Sequence, residues 1–200
     1  MRSLQQINAK ADIYRVVDLT KFEGTHDLKE GIYYGQLLDG KRDGYGIVYT
    51  NQFGYPYLLE CEWKQGIPVN QGRYIRISYN EWRKYEGTID QSYKLTGQGS
   101  RHDKDGYQYT GEWKQGNRHG QGKEIWASGK YYEGGWKDHR KHGQGRETEA
   151  SGEYCEGEWT DDNKVGLHKY FTKEGVLVKT KEHRPFYLYE DEIQYGEEIE

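Results

Sequence analysis

The sequence predicts an all-β protein, a single-layer antiparallel sheet of consecutive β-hairpins in about six repeats of about 23 residues. Three observations carry that expectation. First, moving the chain 23 residues along itself brings Tyr109 onto Tyr132, Gly111 onto Gly134 and Gly157, and Trp113 onto Trp136 and Trp159. Second, Tyr109, Gly111 and Trp113 alternate with Thr110, Glu112 and Lys114, the period of a strand with one packed and one wet face. Third, the glycines recur so closely that no window of helical period survives between them.

The best pair of units is 109–131 and 132–154. Their register holds throughout: His119 meets His142, Gly120 meets Gly143, Gly122 meets Gly145 and Gly129 meets Gly152. Within the first of them, Tyr109–Lys114 reads as a strand, "KQGNRHG" carries turn residues, "QGKEIWA" resumes a strand and "SGK" turns the chain back. Working outward gives units 33–58, 59–84, 85–108 and 155–178. The outer ones are weaker: Leu37 takes the Trp slot of the first, and Cys61 the first Gly slot of the second. In the last, Cys155 replaces Tyr and His168 replaces the final Gly. Turn glycines are expected to take positive φ, and strand glycines to leave room for a neighbouring ring across the bare backbone. His119 and His142 are expected to pack or hydrogen-bond near the turn rather than bind metal.

Residues 1–32 and 179–200 flank this 33–178 array as an N-terminal cap or docking segment and an acidic C-terminal tail. "IYRVVDL", residues 13–19, is expected to add a strand or cover the first hairpin, because an exposed sheet edge needs covering. The tail "RPFYLYEDEIQYGEEIE" mixes Phe186, Tyr187 and Tyr189 with acids and is expected to fold back on the sheet or dock on a partner.

Composition narrows the function. Only 33 of the 200 residues are Leu, Ile, Val or Phe, but 20 Tyr and 6 Trp supply large rings that bury area while keeping a polar handle. Residues 179–200 hold 3 Lys/Arg against 7 Asp/Glu, which leaves residues 1–178 neutral with 26 of each sign. Nucleic acid, which needs a surplus of cations, is disfavoured as a partner, and a membrane surface likewise. Cys61 and Cys155 make no CxxC and no disulfide framework, the N-terminus lacks the apolar centre of a secretory signal, and no apolar run nears the ~20 residues of a membrane span. No phosphate loop, dinucleotide fingerprint or nucleophile elbow is present, and no carboxylate sits in an apolar sequence setting. The expectation is a protein that is not an enzyme, with no cofactor and no metal.

The run Tyr-x-Gly-x-Trp-x-x-Gly-x-x-His-Gly-x-Gly at 109–122 resembles the MORN repeat, and the resemblance extends over 33–178. It implies an interaction scaffold in a multi-subunit assembly, notably of cilia and flagella, where similar proteins sit in radial spoke heads of the axoneme. It also implies a cytoplasmic or cytoskeletal location. A mitochondrial or other large complex is the competing assembly. The competing class is a membrane module for anionic phospholipid, with Lys114, Arg118, Lys123, Lys137, Arg140, Lys141 and Arg146 sharing a surface. For a scaffold, the candidate partner-binding residues are Tyr109, Trp113, Trp126, Tyr132, Trp136 and Trp159, rings of the kind that carry binding energy against a partner's helix or extended segment. The same rings also suit a core. Edge-to-edge joining of two arrays is the remaining contact expected.

Overall fold

The computed structural model describes residues 16–25 and 28–184, so the tail at 185–200 and the N-terminal residues 1–15 lie outside the described residues. Alternation and glycine spacing produce fourteen strands among them: β1 (Val16–Phe22), β2 (Gly31–Leu38), β3 (Lys41–Gln52), β4 (Tyr55–Lys64), β5 (Ile67–Ser78), β6 (Glu81–Ile89) and β7 (Leu95–Asp103). The second half continues with β8 (Gln108–Lys114), β9 (Asn117–Ile125), β10 (Tyr131–Lys137), β11 (Arg140–Thr148), β12 (Tyr154–Thr160), β13 (Asn163–Phe171) and β14 (Leu177–His183). They form one open antiparallel sheet in sequence order, each strand pairing only with its chain neighbours. Stability is therefore built repeat by repeat.

Two turn chemistries recur. Within every unit but the third, where residues 90–94 join β6 to β7, the turn is two residues with positive φ at both, as at Gln115 (51°) and Gly116 (85°), the geometry whose twist matches the flanking strands. The turn expected over "KQGNRHG" is thus shorter than the sequence suggests. Asn117, Arg118 and His119 already pair with Lys114, Trp113 and Glu112. The register then slips by a bulge at Gly120 (φ 56°), and the Glu112 carboxylate accepts the Gln121 amide there at 2.9 Å. Between units the turn is longer from β7 onward, whereas β3–β4 and β5–β6 are joined by the two-residue turns Phe53-Gly54 and Tyr79-Asn80. Gly129 donates to the Trp126 carbonyl and Trp126 to the Lys130 carbonyl, both at 2.9 Å, and the same pair of bonds recurs at Glu149–Glu153 and Thr172–Val176.

Glycines line up straight across the sheet. Gly72 opposes Gly87, Gly87 opposes Gly99, and the pairing continues through Gly111, Gly122, Gly134 and Gly145 to Gly157. Into this bare trough lie the unit tyrosines. A Cβ built at Gly122 would meet Tyr109 Cζ at 2.6 Å, and one at Gly145 would meet Tyr132 Cζ at 2.5 Å. Each hydroxyl donates back to its own strand: Tyr33 to the Gln36 carbonyl at 2.9 Å, and Tyr109 and Tyr132 to those of Glu112 and Gly135 at 3.1 Å.

Both edges of the sheet are strands. β1 pairs with β2 from Val16↔Leu37 to Phe22↔Gly31. At the other end β14 pairs with β13, from Gly166↔His183 to Phe171↔Leu177. The boundary drawn at 178/179 therefore falls inside β14, because a strand that finds a ladder partner continues past the last repeat glycine.

Candidate interaction site

Over β8–β13 one face of the sheet is closed by its own rings. Trp113, Tyr109, Trp136, Tyr132 and Trp159 run edge to face with centroids 5.2–5.4 Å apart, and Trp159 continues to His168 at 5.7 Å. Such contacts each add about 0.5–1.5 kcal/mol beyond area burial. The sequence-derived partner residues Tyr109, Trp113, Tyr132, Trp136 and Trp159 are 0–4% exposed, and Trp126 is half-buried against them. They are core: Trp113 and Trp136 each cover the Tyr of their own and the preceding unit, and Trp159 covers Tyr132 of the preceding unit. Burial pushes the Tyr109 and Tyr132 phenols well above their ordinary value.

Cations lie over this ring row. Arg118 stands 4.2 Å above the Trp136 ring and pairs with Glu124, while Lys141 stands 4.8 Å above Tyr132 and 4.7 Å above Trp159. Glu147 accepts from three ammoniums, Lys141 at 2.8 Å, Lys130 at 3.2 Å and Lys164 at 3.3 Å. Burial alone would raise its carboxyl, but the three lysines together hold it down at about 2. The folded-state value lies below the ordinary 4.5, so the contribution is full above 4.5 and is lost as pH falls toward about 2. Glu147→Gln is expected to lower stability at neutral pH by roughly 2 kcal/mol and to flatten its dependence on pH across that window, read from thermal melts in a pH series.

The seven cations grouped for a lipid surface do not share one. Arg118 and Lys141 point inward to Glu124 and Glu147, whereas Lys123 and Arg146 sit on the opposite face, paired with Glu133 and Glu156. Lys123 and Arg146 each lie five residues beyond Arg118 and Lys141, an odd spacing that the two-residue slip at the bulge preserves, so ordinary strand alternation puts them on the other side. His119 and His142 sit by the turns, their Nδ1 atoms 3.8 and 3.9 Å from Asp138 and Asp161. Among the described residues no group of three or more His, Cys, Asp or Glu could hold a metal ion, and no helix is long and apolar enough to cross a membrane.

The outer face offers a surface that the repeat pattern alone did not reveal. Ile32, Tyr49, Leu58 and Ile75 stand directly opposite one another across β2–β5, flanked by the row Leu19, Tyr34 and Ile47 and by the pair Ile77 and Trp82. Leu19 is 62% exposed, Tyr49 52%, Ile32 48%, Ile77 46% and Trp82 41%. In the second half, rings on this face are covered by cations, Lys123 over Tyr131 and Arg146 over Tyr154. A contiguous exposed apolar patch marks an interaction surface. The sequence signal was there: β2, β3 and β5 carry apolar residues at successive outward positions, where β8 carries Thr110 and Glu112.

Compared with known families, residues 33–51, 62–80, 109–131 and 132–154 match the MORN repeat. The last two have the bounds of the fourth and fifth units. The matches leave out 85–108, where Ile89 stands in the Trp slot, and 155–178, where Cys155 and His168 replace Tyr and Gly. No curated protein matches the chain. MORN repeats commonly mediate protein or membrane-lipid interactions.

Proposed function

We propose that this chain, with four MORN repeats in one open sheet, is a non-catalytic protein–protein interaction scaffold and a structural subunit of a large assembly. The observation that carries the reading is the outer apolar patch of β1–β6, centred on Ile32, Tyr49 and Trp82, on a sheet whose conspicuous repeat rings on the other face are buried in its core. A flat apolar row flanked by the charged pairs of Arg73 with Glu60 and Glu86 has the apolar centre and polar rim of a protein interface. The assembly we propose is the ciliary or flagellar axoneme, with a place of the radial-spoke type, on the resemblance of the repeats to those of spoke-head proteins.

Tagged purification from the native cell in mild salt, with mass spectrometry of what co-elutes, tests this. Stoichiometric axonemal proteins are the expected result. Stoichiometric mitochondrial proteins would keep the scaffold and replace the assembly. Recovery of the chain alone after cross-linking, together with flotation on anionic vesicles, would favour the membrane reading instead.

A further inference from the structure

The third unit breaks the electrostatic pattern of the ring face. In the fourth and fifth units, the residue two before the bulge glycine is a cation, Arg118 or Lys141, and the residue two after the trough glycine is an acid, Glu124 or Glu147. The third unit puts Leu95 and Arg101 in those places. The acid is lost, and a cation stands where it was.

A cleft of about 380 Å³ opens there, running from Phe53 beside the β3–β4 turn to Gln115 in the β8–β9 turn. Arg76, Arg83, Lys94 and Arg101 line it, and no Asp or Glu does. Its floor is the parallel stack of Tyr57, Tyr74 and Tyr85, with centroids 5.0 and 4.4 Å apart. Arg76 and Arg83 face each other directly across β5 and β6, an arrangement that costs stability when nothing anionic lies between. The nearest carboxylate, Asp103, is engaged by Arg101 Nε at 2.8 Å and stands 3.6 Å from Arg83 Nε. Arg76 bonds the Gln52 amide oxygen at 3.2 Å and makes no ion pair among the described residues. Burial and the Arg118 and Arg101 guanidiniums hold His139, on the same wall, below its ordinary value, so it brings no further proton-borne charge at neutral pH.

We propose that this cleft binds an acidic peptide segment of a partner protein, its carboxylates between the Arg76–Arg83 pair and Lys94 and an apolar side chain on the tyrosine stack or against Phe53. The proposal rests on the scaffold reading and adds a second, charge-selective contact to it. The length of the cleft across several strands and its mixture of guanidinium and ring surface suit an extended peptide, since Arg clusters recognise acidic motifs by paired hydrogen bonds.

The test uses the full chain and a fluorescein-labelled synthetic peptide, Glu-Phe-Glu-Asp-Glu-Tyr-Glu, beside a twin with Gln and Asn in place of its acids. Fluorescence anisotropy is expected to show binding of the acidic peptide that weakens with salt, and at least tenfold weaker binding of the twin. The Arg76→Gln/Arg83→Gln variant is expected to lose at least tenfold in affinity while melting at the same or a higher temperature, because the opposed charges are gone. A purely structural role for the two arginines predicts a lower melting temperature instead. Failure of the acidic peptide to bind, equal binding of the twin, or equal binding to the variant would each overturn the proposal. Binding of anionic vesicles in place of the peptide would also overturn it. Should the peptide fail while the chain still co-purifies with its assembly, the scaffold reading stands and only the cleft is lost.

Discussion

Gly145→Ala is expected to destabilise the protein by about 3 kcal/mol or more, a large share of the 5–15 kcal/mol of an ordinary domain. The added Cβ would sit 2.5 Å from Tyr132 Cε2 and Cζ, while the backbone at Gly145 is not in the left-handed region. The cost is therefore steric. Tyr132 is fully buried, wedged between Trp136 and Trp159, and its hydroxyl is tied to the Gly135 carbonyl, so the ring cannot swing aside without opening the row. Overpacking in a closed core ordinarily costs about 1–3 kcal/mol, and here a lost hydrogen bond adds to it. Because strands contact only their neighbours, the damage should stay local, with amide exchange accelerating in β10–β13 before β2–β5. Urea unfolding checks the magnitude. A loss below 1 kcal/mol would mean the trough is looser than the ring contacts indicate.

The sixth unit yields the second large effect, through a swap. Cys155 occupies the tyrosine slot and His168 the glycine slot opposite Gly157. His168 is fully buried and fills the trough from the far strand: a Cβ at Gly157 would meet its ring at 2.6 Å. Cys155→Tyr alone drives a second ring into that space and is expected to cost about 3 kcal/mol. His168→Gly alone leaves a cavity and is expected to cost a similar amount. Together they recreate the Tyr-over-Gly pair of the fourth and fifth units, so the double variant should recover at least about 2 kcal/mol of the summed losses. Burial also holds His168 below its ordinary 6.5. A lowered histidine leaves stability full above 6.5 and lost as pH falls through the depressed value, and both variants lacking His168 should show less of this dependence. Additive single costs in the four-protein unfolding cycle would sink the ring-for-gap account of this unit.

The fold was legible because its determinants are periodic. Tyr109, Gly111, Trp113 and Gly122 recur at one spacing, and each recurrence marks a contact that must be made again in the next hairpin. Two-residue turns such as Gln115-Gly116 and Asp138-His139 were partly hidden, since only positive φ reveals that Asn117 and Arg140 already belong to strands. The candidate site was far less legible. Conspicuous rings drew attention to the ring face, yet Trp113 and Trp136 recur because they pack on one another's units, which is a core property. The proposed surfaces for partners lie where the repeat is broken: at Tyr34 and Ile47, whose places are taken by Thr110 and Lys123 in the fourth unit and by Glu133 and Arg146 in the fifth, and at Leu95 and Arg101, which invert the charge pattern. A periodicity search averages out such departures, and only the strand register brings them side by side.

The outer face of β1–β6 is the interaction surface we propose for this protein. Its most direct test is co-purification from the native cell of the wild-type chain beside a Tyr49→Lys/Trp82→Glu variant, with melting temperatures measured for both. The variant is expected to melt within a few degrees of wild type, since both side chains are exposed, and to lose its stoichiometric partners. Retention of the full set of partners by a folded variant would contradict it.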